Sequence, residues 1–353
     1  MDRTTANSGT RAVDRRLAFD TAALERWMAA NVADFTGPLG VSQFKGGQSN
    51  PTYRLDTPAR SYVLRRKPPG PLLPGAHAVE REARVMAALG PTGFPVPHIH
   101  GLCDDEGIIG TAFFVMDMVE GRIVWDPTFP GLTPAKRAAH FDAMNATIAS
   151  LHSIDSGEIG LADYGRPSNF VERQVARWSK QYESDVEAGR VPAMDRLVEW
   201  LRANLPPDSG IARIVHGDFR CDNMIFAADD PRVIAVLDWE LSTIGHPIAD
   251  IAYNGFIWRS HSPGWGSLDG IDFATSGIPT EADYVAAYCR RTGREAIADW
   301  PFYMAFGIFR LASISQGVYR RVLAGNAATE GREAINGAGA LAEQALAILE
   351  GRE

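Results

Sequence analysis

The sequence predicts an α+β protein of two lobes, a small strand-rich first lobe with one key helix and a larger, mostly helical second lobe. Three observations carry this reading. β-Branched and aromatic runs punctuated by Gly and Pro recur within residues 41 to 122 on either side of one helix, helical apolar spacing dominates after Thr133, and the polar break Glu120-Gly121 divides them. The expected division is a disordered leader over 1–18, a first lobe over 19–116, a hinge over 117–123 and a second lobe over 124–353. A chain of 353 residues with 45% hydrophobic residues has the means to bury such cores.

The elements follow in order. "FDTAALERWMAANVADF" places Leu24, Trp27, Met28 and Val32 on one helical stripe from Phe19 to about Phe35. "VSQFKGGQSNPTYRLDT" and "SYVLRRKPPG" alternate polar with β-branched and aromatic residues, as short strands do. "AHAVEREARVMAAL" is the next helix, Ala76 to Leu89, with Gly90 as its expected terminal cap. "PTGFPVPHIHGLCDDEG" reads as loop, with His98 and His100 beside prolines, and "TAFFVMDMVEGR" as a strand ending at the hinge. Thr133 and Pro134 then open a helix striped by Phe141, Met144, Ile148 and Leu151. One strand-rich island interrupts the second half: "RIVHGDFRCDNMIF", the turn "AADDPR" and "VIAVLDWE". Helices near Pro301 to Leu323 and Arg332 to Leu349 close the chain.

Composition narrows the partners. Lys plus Arg number 35 against 43 Asp plus Glu, and a net charge of -8 argues against nucleic acid as the principal partner. Cys103, Cys221 and Cys289 form no CxxC pair, which fits a reducing, cytoplasmic setting. No run approaches the roughly 18 apolar residues of a membrane span, and the start of the chain lacks a targeting signal.

The chemistry concentrates in "HGDFRCDN". Phosphoryl transfer to a hydroxyl needs a carboxylate to accept the hydroxyl proton and oxygen ligands to hold Mg²⁺ against nucleotide phosphates. Asp218 and Asn223 stand five apart, and Asp238 ends the apolar strand "VIAVL" fifteen residues later. One hairpin thus brings a base and two metal ligands together. A polar turn is the bland alternative, and a zinc site built from His216, Asp218, Cys221 and Asp222 lacks a partner cluster.

These motifs resemble the aminoglycoside phosphotransferase and choline kinase superfamily, which has the two-lobed protein-kinase-like fold with an antiparallel first-lobe sheet. The resemblance implies Asp218 as catalytic base, Asn223 and Asp238 as Mg²⁺ ligands, and His216 as a brace. Asp250 in "DWELSTIGHPIADIAY" is implied as a structural acid. Arg65 falls at the usual lysine position and Glu82 at its helix glutamate, a departure from the commonest pattern. Lys67 shares the strand face of Arg65, so either is a candidate phosphate contact. Ser49 and Asn50 of "GGQSN" are candidates to cover phosphates, and Met116 and Met118 to flank adenine. Arg220, two residues past the base, is placed to steady the transferring phosphoryl group.

The resemblance is greatest to a subgroup found alone or fused to acyl-CoA dehydrogenases, through "GGQSNPTYRL", "VLRRKPPGPLLPGAHAVERE" and "HGDFRCDNMIF". It implies an ATP- and Mg²⁺-dependent kinase of a small molecule, with a hydroxyacyl-CoA as candidate acceptor. A chain of this length leaves no room for the dehydrogenase itself. Arg173, Arg177 and Lys180 recur at helical spacing and would attract an anionic acceptor while repelling an aminoglycoside. Tyr164, Arg166, Arg310 and Gln316 are further candidates to line the acceptor pocket. The competing readings are a pseudokinase or nucleotide-binding module, an aminoglycoside or choline-type kinase, and transfer of AMP instead of phosphate.

Overall fold

Six antiparallel strands build the first lobe: β1 (Thr10–Arg11), β2 (Gly40–Phe44), β3 (Thr52–Asp56), β4 (Ser61–Arg66), β5 (Ile99–Cys103) and β6 (Phe113–Asp117), in the order β1-β2-β3-β4-β6-β5. The computed structural model describes residues 8–46, 50–70, 77–261, 266–323 and 336–352. Helix α1 (Thr21–Asn31), capped by Asp20, covers one sheet face and packs Leu24 and Met28 with Tyr53, Tyr62, Leu64, Phe113 and Val115. Helix α2 (Val79–Leu89) covers the other, where Val63, Phe114 and Met116 join Met86. Because side chains alternate along a strand, Tyr62 and Leu64 of β4 face α1, whereas Val63 and Arg65 face α2. That alternation aims Arg65 at the helix carrying Glu82.

The chain then changes sheets. β7 (Arg122–Ile123) leaves the first lobe and pairs with β9 (Met224–Phe226), which β10 (Val233–Val236) flanks on its other side. β8 (Arg213–Val215) pairs instead with β11 (Thr243–Gly245). Gly121 marks the crossing. A Cβ there would fall 2.4 Å from the Phe226 carbonyl oxygen, so only glycine lets the strand lie against β9.

Helices make up most of the remainder: α3 (Pro134–Ser153), α4 (Phe170–Ser184), α5 (Pro192–Ala203), α6 (Pro247–Gly255), α7 (Glu281–Arg291), α8 (Trp300–Leu323) and α9 (Ala338–Leu349). Thr133 caps α3 through its hydroxyl and Pro134 opens it, as the sequence predicts. Helix α2 is bolted to this second lobe. Arg81 Nη2 donates to the Tyr164 carbonyl at 2.7 Å, and its guanidinium lies 4.2 Å from the Tyr164 ring centroid. The Tyr164 hydroxyl in turn meets Ser242 Oγ at 2.7 Å and donates to the Arg81 carbonyl.

The structure corrects several expectations. Residues 8–18 are not a disordered leader: β1 extends the sheet, Asp14 N–H donates to Gln43 Oε1, and the Tyr53 hydroxyl donates to the Leu17 carbonyl. Residues 1–7 lie outside the described residues. Gly90 is the C-cap of α2, as the sequence predicts, but it is right-handed at φ −51° and begins a single 3₁₀ turn that Gly93 ends in the left-handed position at φ +82°. The expected loop after it contains β5, an edge strand with a bulge between Ile99 and Gly101. The closing helix is described from Ala338 onward, and residues 332–335 of its expected span lie outside the described residues.

Candidate active site

The loop between β8 and β9 is fixed from below before it offers any group to a ligand. Asp250, on α6 and 2% exposed, accepts from the His216 N–H at 2.7 Å and the Gly217 N–H at 2.8 Å. His152 Nε2 stands 3.2 Å from the same carboxylate, and its Nδ1 meets the Tyr288 hydroxyl at 2.8 Å. Burial opposes the charge of Asp250, yet His152, His216 and the backbone donor hold its pKa below the ordinary value. His216 Nδ1 accepts from the Asp218 N–H at 3.2 Å, so the proton sits on Nε2, which donates to the Leu237 carbonyl at 2.9 Å. That second bond joins the loop to the end of β10. Gly217 sits at φ +83°, a conformation glycine adopts without strain.

Asp218 is held at both oxygens. Oδ1 accepts from the Tyr253 hydroxyl at 2.7 Å, and Oδ2 from Asn223 Nδ2 at 2.9 Å. The same Nδ2 also reaches the Asp218 carbonyl at 2.9 Å, which closes the five-residue loop on itself. Leu237 N–H donates to the Asn223 carbonyl at 2.8 Å and so ties the loop to the segment carrying Asp238. Asp238 is left-handed at φ +66° and turns its carboxylate back toward the first lobe.

There it meets Arg65. The guanidinium, 8% exposed, lies 2.9 Å from Glu82 through Nε, 2.5 Å from Asp238 through Nη2, and 3.9 Å from Glu240. Burial works against its charge, and the three carboxylates more than offset this, raising its pKa. Glu82, 1% exposed, is pushed up to about 7 by burial, with Asp238 and Glu240 adding to the rise and Arg65 opposing it. One guanidinium faces three acids.

The sequence profile described as "Phosphotransferase enzyme family" (APH) matches residues 40–306, three-quarters of the chain. The chain belongs to the APH phosphotransferase family. Mouse "Acyl-CoA dehydrogenase family member 10" is 44% identical over 323 residues, covering 91% of this chain and 30% of that protein. The chain spans 30% to 43% of the length of the curated relatives it matches. A crystal structure of an aminoglycoside phosphotransferase-like protein from Ralstonia eutropha is 45% identical with a TM-score of 0.86, covering 95% of this chain and 99% of that one. Aminoglycoside phosphotransferase APH(4)-Ia, solved with AMP-PNP and hygromycin B, shares the fold at 15% identity and a TM-score of 0.53, over 93% and 98% of the two chains.

The oxygen donors of this phosphotransferase suit a hard cation. Asn223 spends its Nδ2 on Asp218 and leaves an amide oxygen, while Asp238, next to the Leu237 N–H that donates to the Asn223 carbonyl, has a side chain 32% exposed. Mg²⁺ binds through one or two protein oxygens plus phosphates, so this pair fits it. The zinc alternative does not fit. Both His216 nitrogens are engaged, burial pushes the Cys221 thiol up to about 12, and no group of three or more His, Cys, Asp or Glu among the described residues could hold a metal.

Other predicted residues take different places. Asn50 is fully buried and turned inward: Nδ2 donates to Glu82 Oε1 at 2.9 Å and Oδ1 stands 3.0 Å from His77 Nδ1. It therefore supports the acids instead of covering phosphates, and Ser49 lies outside the described residues. Lys67 follows the end of β4 and pairs with Glu80, leaving Arg65 as the partner of Glu82. Arg220 is turned onto Asp222, Nε to Oδ1 at 2.9 Å and Nη2 to Oδ2 at 2.5 Å. Met116 is buried in β6 and Met118 half-buried just past it. On α4, Arg177 and Lys180 are exposed and Arg173 donates to the Arg166 carbonyl. Tyr164 and Gln316, read as pocket residues, are also engaged internally, the first with Arg81 and the second with the Gly189 carbonyl.

Three participants escaped the sequence reading. Glu240 and His77 complete the acid cluster, and Tyr253 holds Asp218. The position of Tyr253 was a usable signal. It lies three residues after Asp250 on one helix, so both side chains face the same loop.

Proposed function

We propose that this phosphotransferase moves the γ-phosphoryl group of ATP, with Mg²⁺, to a hydroxyl of a small anionic molecule, a hydroxyacyl-CoA being the candidate. The observation that carries the reading is Asp218, oriented at both oxygens within a hairpin that also presents Asn223 and Asp238. The acceptor oxygen forms a bond to the γ-phosphorus, the bond to the β,γ-bridging oxygen breaks, ADP departs, and the hydroxyl proton passes to Asp218. Mg²⁺ held by Asn223 and Asp238 would neutralise phosphate charge. Arg65 with Glu82 supplies the first-lobe cation, and the AMP-PNP complex of a fold neighbour favours ATP as donor. Positioning and electrostatics then account for the catalysis.

The acyl-CoA candidate draws on the names of the curated relatives and on the exposed basic residues of α4. The test is ADP release with Mg²⁺ and ATP across hydroxyacyl-CoAs, choline, sugars and aminoglycosides, beside Asp218→Asn. Turnover with one acceptor class, reduced roughly 10²- to 10⁴-fold by the substitution, supports the reading and identifies the acceptor. ATP binding without turnover on any acceptor would favour a nucleotide-binding module, a reading kept open by Arg65, whose charge is already matched by acids. Product mass separates phosphoryl from AMP transfer.

A further inference from the structure

Tyr253 and Arg310 come from different helices, α6 and α8, yet converge on two adjacent loop residues. The Tyr253 hydroxyl donates to Asp218 Oδ1 at 2.7 Å, and Arg310 Nη2 donates to the Gly217 carbonyl at 3.1 Å. The Arg310 guanidinium lies 5.2 Å from the Tyr253 ring centroid, which closes a triangle of contacts behind the loop. Arg310 is 8% exposed, its Nε has no hydrogen-bond partner, and no carboxylate among the described residues lies within ion-pair distance of it. Burying a cation without a carboxylate partner is costly, so its contacts with the ring and the Gly217 carbonyl need a reason.

We propose that Tyr253 and Arg310 are positioning residues of the transfer step, setting the direction from which the acceptor hydroxyl reaches Asp218. A carboxylate has about four lone-pair sites. Asn223 occupies one on Oδ2 and Tyr253 one on Oδ1, so the incoming hydroxyl is confined to what remains. Arg310 fixes the preceding peptide and, from beside the ring, draws electron density from the phenol and strengthens its O–H as a donor. Burial and the adjacent Asp218 charge push the Tyr253 pKa up, which keeps that proton in place. The proposal rests on the reading of Asp218 as proton acceptor.

The test uses the full chain and Tyr253→Phe, Arg310→Met and Arg310→Lys. Three quantities are read: ADP release from Mg·ATP with water as acceptor, the Kd for Mg·ATP, and the Asp218 carboxylate orientation in crystals of each variant. Tyr253→Phe and Arg310→Met are expected to slow ADP release about 10- to 100-fold with an unchanged Kd, because a small misplacement of a reacting group has effects of that size. Arg310→Lys should recover most of the rate. Wild-type rates in Tyr253→Phe, or losses matched by an equal rise in Kd, overturn the proposal. If the wild type releases no ADP with water or with any acceptor of the panel, the kinase reading fails. The crystals then decide this inference separately: a carboxylate turned away from Asn223 in Tyr253→Phe sustains the positioning role, and one left unmoved overturns it.

Discussion

Arg65 Nη2 lies 2.5 Å from Asp238 Oδ1, so the cation of the small lobe touches a proposed metal ligand of the large one. The same guanidinium neutralises Glu82, which has almost no access to water. Arg65→Met should therefore destabilise the protein by about 3–5 kcal/mol, the usual cost of stranding one member of a buried pair. Urea unfolding measures it, and Arg65→Lys, which keeps a cation, should lose less.

Glu82 also predicts a pH effect. Its folded pKa of about 7 lies above its ordinary 4.5, so the stability it contributes is complete below pH 4.5 and is lost as pH rises to 7. Wild type should lose stability relative to Glu82→Gln across that window. Parallel urea midpoints at pH 5 and 7, without Mg²⁺, check the sign; equal differences at the two values would refute it.

Asp250→Ala removes the acceptor of two loop N–H groups and the partner of His152 at once. A loss of about 3–5 kcal/mol is expected in thermal or chemical unfolding. ADP release should fall with it, since Asp218 hangs from the peptides Asp250 holds.

Gly217→Ala tests the backbone. At φ +83° an added Cβ would also stand 2.7 Å from the Leu241 carbonyl oxygen. Strain of about 1–3 kcal/mol should appear in the unfolding midpoint, together with loss of turnover in the protein that remains folded.

Reversing Arg173 and Arg177 to glutamate should raise the KM for an anionic acceptor about tenfold while leaving the KM for ATP unchanged. Unchanged constants for the true acceptor would remove α4 from the acceptor site.

The parts of this site that were legible in sequence are those fixed by spacing. Asp218, Asn223 and Asp238 share one hairpin, and alternation along "YVLRRK" aims Arg65 at the helix of Glu82. What depended on side-chain direction across distant elements was not. Asn50 reads as a phosphate-loop residue in "GGQSN", and nothing local says that Glu82 and His77 draw it inward. Tyr253, three residues after Asp250 on one helix, had a spacing that pointed to the same loop, but the bond from its hydroxyl to Asp218 shows only in the folded protein. β5 follows Pro95 and Pro97, whose turn-like signal hides an edge strand needing only one partner. Arg310 reads as a pocket cation, yet it stands behind the loop, on the Gly217 carbonyl.

The clasp of Arg81, Tyr164 and Ser242 has a mechanical meaning. In protein kinases, placement of the helix glutamate is a point of control. Here the turn of α2 that carries Glu82 also carries the fastening to the opposite lobe. Swinging that helix outward would have to tear a phenol and a guanidinium from their seats together. The helix that protein kinases shift is here fastened across the cleft at the turn that carries its glutamate.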